Sequence, residues 1–290
     1  MRAWVRAGLR HPHVRKGAVF FAAAAVAVLF YGLVVEPARL VERDTVIPLS
    51  DWPLQCDGLR LDVITDTHTG SPRNGLDNLD RVVQRLVASD ADAVLMAGDY
   101  VILSVFMGTY VPVEKIAERL RPLTARKPVY AVLGNHDWWK NGPNISARLA
   151  GAGVRMIDNA AVKAHLGDCS VWFVGLGDLL EGRPDPVRAF GQVSDDAPIV
   201  ALTHEPDLWP RIRERATLTV AGHTHGGQIY PGPVARPGRF VRGALSLNGW
   251  IRHGDRQLFV SPGIGTSIVP MRLGVPPEIS RLTLRSTPPP

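Results

Sequence analysis

Residues 59–70 read LRLDVITDTHTG. The first seven, LRLDVIT, are rich in Leu, Val and Ile and predict a buried strand; the chain then turns polar at Asp66-Thr67-His68 and opens at Gly70. Moving outward, the same event recurs. An amphipathic helix over 76–88 leads to a strand at 92–97 that ends in Gly98-Asp99. A helix near 112–121 leads to a strand at 128–133 that ends in Gly134-Asn135-His136-Asp137. After a helix at 143–151 and strands at 154–158, 161–166 and 169–176, a strand at 198–203 ends in Thr203-His204. A helix at 207–214 then precedes a strand at 217–221 that ends in Gly222-His223-Thr224-His225-Gly226-Gly227. Strands near 257–261 and 279–285 close the chain, and residues 231–238, rich in Pro and Gly, read as a surface loop. This alternation predicts an α/β layered fold with mixed sheets.

In α/β sheets the loops beyond the strand ends converge in space. Five such ends bearing Asp66, His68, Asp99, Asn135, His204, His223 and His225 would build one cluster of oxygen and imidazole ligands. Residues two apart on an extended chain share a face, so Asp66 and His68 can reach one ion. Seven protein ligands exceed one zinc or magnesium sphere and suit two ions sharing a carboxylate. A pair about 3.5–4 Å apart clamps the attacking and leaving oxygens of a phosphoryl displacement and acidifies a bridging water into a hydroxide nucleophile. Carboxylate, amide and imidazole ligands without thiolate fit manganese, iron or zinc. Taken singly, His68 or His204 reads as a hydrogen-bonded structural histidine, Asp66 or Asp99 as a helix cap, and Gly-Asn-His-Asp as a turn. Taken as an ordered set, they place five of nine histidines at successive strand ends, which the plain reading does not explain.

The series Asp66-x-His68, Gly98-Asp99, Gly134-Asn135-His136-Asp137, His204 and Gly222-His223-x-His225 resembles the calcineurin-like metallophosphoesterase superfamily, over about residues 59–285. The stretches 222–228, 261–267 and 270–279 resemble its bacterial branch with an N-terminal membrane anchor. The resemblance implies a four-layer α/β/β/α sandwich. It implies one divalent ion on Asp66, His68, Asp99 and His225 and a second on Asp99, Asn135, His204 and His223, with Asp99 as the bridge. It implies that His136 contacts the phosphate and assists leaving-group departure, with Asp137 holding its ring. Members of that branch are linked to cleavage of UDP-2,3-diacylglucosamine in lipid A synthesis, but the metal motifs are shared across the superfamily and do not choose a substrate.

Residues 17–35, GAVFFAAAAVAVLFYGLVV, hold no charge, Asn, Gln or Pro. As a helix they span roughly 28 Å, close to a bilayer core of about 30 Å. The rivals are a core helix and a cleaved signal peptide, whose apolar stretch is shorter, about 7–15 residues. Five cations lie in the flank 1–16, and only Arg39 and Arg43 follow within ten residues. The positive-inside rule then places the rest of the chain outside the cytoplasm, whereas the UDP-linked lipid is made on the cytoplasmic face. Residues 36–53 read as a linker, 54–286 as the phosphoesterase domain and 287–290 as a tail.

Of the net +6, the flank carries five, leaving 28 Lys and Arg against 27 Asp and Glu. A near-neutral domain on a membrane anchor argues against a nuclease, and no nucleic-acid partner is expected. The expected partners are the lipid bilayer and a phosphoester, lipid-linked or not. A non-enzymatic scaffold on the same fold would lack a ligand, and none is missing. Cys56 and Cys169 read first as small buried residues, with a disulfide open to a domain outside the cytoplasm.

Overall fold

The computed structural model describes residues 12–212, 215–230, 248–254 and 256–287. The flank up to residue 11, the loop expected at 231–238 and the tail residues 288–290 lie outside the described residues. Strand β2 (Arg60–Ile64), the start of the quoted stretch, lies inside a six-stranded sheet. Its order is β1 (Val41–Leu49), β12 (Glu278–Ser286), β2, β3 (Ala93–Ala97), β4 (Val129–Val132) and β5 (Arg155–Met156). The second sheet runs β10 (Gly249–His253), β11 (Arg256–Val260), β9 (Ala216–Ala221), β8 (Ile199–Leu202), β7 (Cys169–Gly175) and β6 (Ala160–Leu166). β2, β3 and β4 run parallel, as do β7, β8 and β9.

The two-residue period of the strands builds the layers. Leu61, Val63, Ala93 and Leu95 turn inward and meet Phe173, Val200, Leu218 and Phe259 of the second sheet. Their neighbours Ile64, Val94 and Met96 turn outward onto helices α2 (Leu76–Ala88) and α3 (Val113–Thr124), through Leu79, Val82, Ile116 and Leu120. Val174, Ile199 and Ala201 of the second sheet are covered by Phe190 of α5 (Pro186–Phe190) and by Leu208. The result is the expected α/β/β/α sandwich.

Several local readings change. Within the expected linker, Val41–Leu49 is a full strand in parallel register with β12, from Val41 opposite Glu278 to Leu49 opposite Ser286. Its polar alternation, ERDT, reads as a connector because this is an edge strand with one wet face. Of the expected helix at 207–214, residues 213 and 214 lie outside the described residues, and the rest is a short 3₁₀ turn, Pro206–Arg211, with Pro210 inside it. Helix α4 (Asn135–Gly151) starts at Asn135 rather than 143; it comprises two pieces joined at Asn141, whose side chain caps the second by accepting the Asn144 N–H.

At the N-terminus, α1 (Pro12–Phe30) continues through a wider π turn at Tyr31–Val35 and a tighter 3₁₀ turn at Glu36–Ala38. The stretch His13–Ala38 is long and apolar enough to cross a membrane, and its most apolar window has a mean hydropathy of 2.6. Only 6% of its most apolar window is buried, which excludes the core-helix reading.

Candidate metal centre

Every candidate ligand emerges where a strand of the sandwich ends. Asp66 and His68 follow β2, Asp99 follows β3, Asn135 follows β4, His204 follows β8, and His223 and His225 follow β9. The loops are laced together by their own backbones: the Asp66 N–H donates to Gly98 O, His68 N–H to Asp99 O, and Gly222 N–H to His204 O. Gly98 sits at φ 92°, and a Cβ there would come within 2.6 Å of Gly134 N and 2.8 Å of His204 Nδ1, so no other residue allows the two sheets' loops to approach this closely.

The structure brings all seven residues together. His225 Nε2 lies 3.3 Å from Asp66 Oδ1 and 3.1 Å from His68 Nε2. His223 Nδ1 lies 3.1 Å from both His204 Nε2 and Asn135 Oδ1. Between these groups, Asp99 Oδ2 is 3.4 Å from His68 Nε2 and 3.4 Å from His204 Nε2. Asp66, His68 and His225 form one group able to hold an ion, and Asp66, Asp99 and His204 form another.

The donor chemistry fits metal. Asp66 Oδ1 is buried with no donor to satisfy it. His68 Nδ1 meets Val101 O at 3.2 Å and His204 Nδ1 meets Ala97 O at 2.6 Å. A carbonyl can only accept, so each Nδ1 carries a proton and each Nε2 faces inward; against the effect of burial, the Asp99 carboxylate raises His204, so its Nε2 must give up a proton to take a metal ion. Burial holds His68 and His223 down to about 4 and lowers His225 as well, so these rings are neutral at pH 7, the form that binds metal. Burial also pushes the Asp66 carboxyl up to about 6.

His136 stands half-buried at the rim. Its ring is edge-on to His68 at 4.7 Å and 5.4 Å from Trp139, and its backbone N–H donates to Asp99 Oδ1. Asp137 departs from expectation. Its carboxylate does not hold the His136 ring, whose Nδ1 is buried without a partner. It instead accepts the backbone N–H groups of Asp99 (2.8 Å), Tyr100 (2.9 Å), Gly134 (3.0 Å) and Val101 (3.3 Å). The reason is its place as the third residue of α4, from which an acid reaches back to the residue capping the helix.

Over residues 59–227, more than half the chain, the sequence matches the profile of the calcineurin-like phosphoesterases. The chain belongs to this family. This phosphoesterase is 29% identical to the uncharacterized metallophosphoesterase YkuE of Bacillus subtilis, over 89% of its own length and 90% of that protein. It is 29% identical to the phosphodiesterase YaeI of Escherichia coli over 67% of its own length and 70% of that protein. It is 26% identical to a Danio rerio transmembrane protein with a metallophosphoesterase domain, over 88% of its own length and 60% of that protein. Membership makes the chain a metal-dependent phosphoesterase, and the family's dinuclear divalent centre corresponds to the His and Asp clusters described above.

Three polar residues near the phosphoesterase site escaped the sequence reading. Asp178 and Glu205 are buried side by side next to His204, and burial pushes Glu205 up to about 8. A sixth strand end, Gly175-Leu176-Gly177-Asp178 after β7, was the available signal for the first. Arg272, fully buried, donates to the carbonyls of Pro262, Gly265 and Val275 and so holds the loop beneath Asp66. Nothing local in the sequence marks it.

Proposed function

We propose that this protein is a membrane-anchored phosphodiesterase in which Asp66, His68, Asp99 and His225 hold one divalent ion and Asp99, Asn135, His204 and His223 hold the other. The observation that carries the reading is the position of Asp99 Oδ2, 3.4 Å from an inward-facing imidazole nitrogen of each set. One carboxylate placed evenly between two ligand groups is what a bridged pair requires.

When bound, the ions supply a clamp on the phosphoryl oxygens and an acidified water. The chain's own residues supply the rest. Burial keeps His68, His223 and His225 neutral, and the carbonyls of Val101 and Ala97 orient His68 and His204 with Nε2 facing the centre. His136, at the rim and unbound through Nδ1, meets the phosphoryl group and transfers a proton to, or stabilises charge on, the departing oxygen. Asp137 acts through backbone: by gathering four N–H groups it fixes the turns that carry Asp99 and Asn135.

Cleavage of a diester is supported by the likeness to a protein named a phosphodiesterase. Anchoring is supported by the exposed apolar helix and by the relative named a transmembrane protein. The charge asymmetry around that helix supports a domain outside the cytoplasm, and a Cys56–Cys169 disulfide agrees with an oxidising compartment. On that side, envelope phosphodiesters are the substrates to test, with UDP-2,3-diacylglucosamine as the comparison for the opposite topology. The deciding experiment is elemental analysis of the purified protein, paired with a screen of nucleotide diphosphate lipids, simple phosphodiesters and phosphomonoesters. Two transition ions per chain and preference for diesters support the reading. Full activity with one ion or fewer refutes the paired site.

A further inference from the structure

Three segments that build the metal centre run outward to one apolar edge. Beyond Asp99 and Val101 the chain reaches Phe106 and Met107, which are 72% and 78% exposed. Beyond Gly265, whose N–H donates to Asp66 O, it reaches Ile268 and Val269, which are 77% and 44% exposed. Beyond His225, Gln228 ties the edge together: its Nε2 donates to Ser267 O and Val269 O, and its Oε1 accepts the Ser267 N–H. Val105 bridges to Ile268, and the Phe106 N–H donates to Ile268 O, so the apolar tips are held in place by backbone. Ile268 is at φ 62°, a conformation a β-branched residue rarely adopts. A strained, bonded framework that holds large apolar side chains out of the fold points to an environment other than water.

The same loop is fastened to the anchor helix. The Arg272 N–H donates to Gly32 O at 3.0 Å, and the Gly274 N–H donates to Glu36 Oε2 at 2.9 Å. A Cβ at Gly32 would stand 2.5 Å from Met271 Cε, so the glycine is where the loop meets the helix. Gly32 lies inside the apolar run 17–35. At about 1.5 Å per residue it is roughly one turn from the end of that run. Ile268 and Val269, two or three residues from Met271, therefore lie within about 10 Å of that contact, near the end of the span. Exposed Arg39 follows the helix, as cations do at the headgroup layer.

We propose that the edge formed by Phe106, Met107, Ile268 and Val269 seats in the headgroup layer of the leaflet from which the anchor helix emerges, and that the substrate is a phosphoester carried by a lipid of that leaflet. The proposal rests on the anchored-phosphodiesterase reading and deepens it. The anchor keeps the protein near the bilayer; the apolar edge sets how the catalytic domain lies on it. The edge continues to the rim of the site, because Tyr110 receives Lys140 Nζ on its ring at 4.2 Å and the adjoining Trp139 lies against His136. Both aromatic rings are partly exposed and suit the interface between lipid and water.

The test uses the full chain in phosphatidylcholine–phosphatidylglycerol nanodiscs. A ring-fluorinated phenylalanine at position 106 reports depth: a lipid-borne nitroxide should relax the fluorine more strongly than a water-borne gadolinium chelate. Stronger relaxation by gadolinium, or shielding from both probes as a protein partner would give, overturns the proposal. In parallel, the double variant Phe106→Asp, Ile268→Asp is assayed on hexadecyl 4-nitrophenyl phosphate, which dissolves in the bilayer, and on bis(4-nitrophenyl) phosphate, which stays in water. The leaving group is the same in both. The lipid-like substrate should lose about tenfold or more in turnover, while the soluble one keeps its rate. Unchanged turnover of the lipid-like ester, or an equal loss on both, overturns the proposal. Wild-type protein that cleaves neither ester defeats the hydrolase reading instead, and the fluorine measurement still decides the seating. Wild-type protein released by alkaline washing defeats the anchor.

Discussion

Where β2 and β7 begin, the sandwich is closed by Trp52, Cys56, Leu59 and Cys169, all buried, with the Cys56–Cys169 disulfide joining residues 113 apart in sequence. Where β2, β3, β4, β8 and β9 finish, the buried residues are Asp66, His68, Asp99, Asn135, His204 and His225. Five of the seven candidate ligands there have left-handed backbone: Asp66, His68, Asp99, His223 and His225, at φ between 36° and 70°. Strain of that kind costs about 1–3 kcal/mol per residue. The first end holds the sheets together; the second holds strained backbone and buried lone pairs suited to a bound cation. The contrast shows how one sandwich separates its stability from its chemistry, and it also says what each end loses when altered.

The largest expected effect is removal of the metals. Chelation should abolish hydrolysis and lower Tm, because ligands that bind only the folded state stabilise by about 2.7 kcal/mol at a hundredfold excess over Kd. Asp99→Asn should reproduce most of this by weakening both ligand groups; calorimetry with elemental analysis checks it, and a variant that retains two ions and full activity contradicts the shared carboxylate.

Next comes His136→Ala, which should lower kcat by about 10²–10⁴ with both ions retained. The loss should shrink for acidic leaving groups such as nitrophenol, since they need little protonation. A slope of rate against leaving-group pKa equal to wild type would show that His136 only packs in the rim.

A smaller and different loss is expected for Asp137→Asn. Removing one acceptor from a cradle of four buried N–H groups should cost about 1–3 kcal/mol of stability in denaturant titration. Activity should fall alike for every leaving group, which separates this support of Asp99 and Asn135 from the chemistry at His136.

The smallest effect on hydrolysis is expected at the other end. The pair Cys56→Ala, Cys169→Ala should lose about 2–5 kcal/mol of stability, yet keep kcat/KM at 25 °C. A large loss of activity in the folded variant would mean that the two ends are coupled and would break the comparison.

Much of the site was legible because its signals are local. A strand such as 59–65 announces itself by apolar period, and the polar residues that follow it are polar because the sheet has ended. All seven candidate ligands are read this way. Asp137 was legible as a site residue but its partners were not: a carboxylate two residues beyond Asn135 could turn either to the next ring or back to the helix start. The helix that begins at Asn135 decides for the second. Strand β1 was hidden because its pairing partner, β12, lies more than 230 residues away, and ERDT resembles a connector until a neighbour covers one of its edges.

Sequence by itself determined the class of fold, the order of strand ends bearing candidate ligands and the apolar span, since each depends on residues adjacent in the chain. Tertiary structure alone decided that Cys56 meets Cys169, that Asp99 falls evenly between two histidine groups, and that Arg272 and Met271 carry the loop 262–275 onto Gly32. These facts depend on how two sheets stack and where a distant loop lands. Stacking is set by the sum of many weak apolar contacts spread along the chain, and no short stretch of sequence contains that sum.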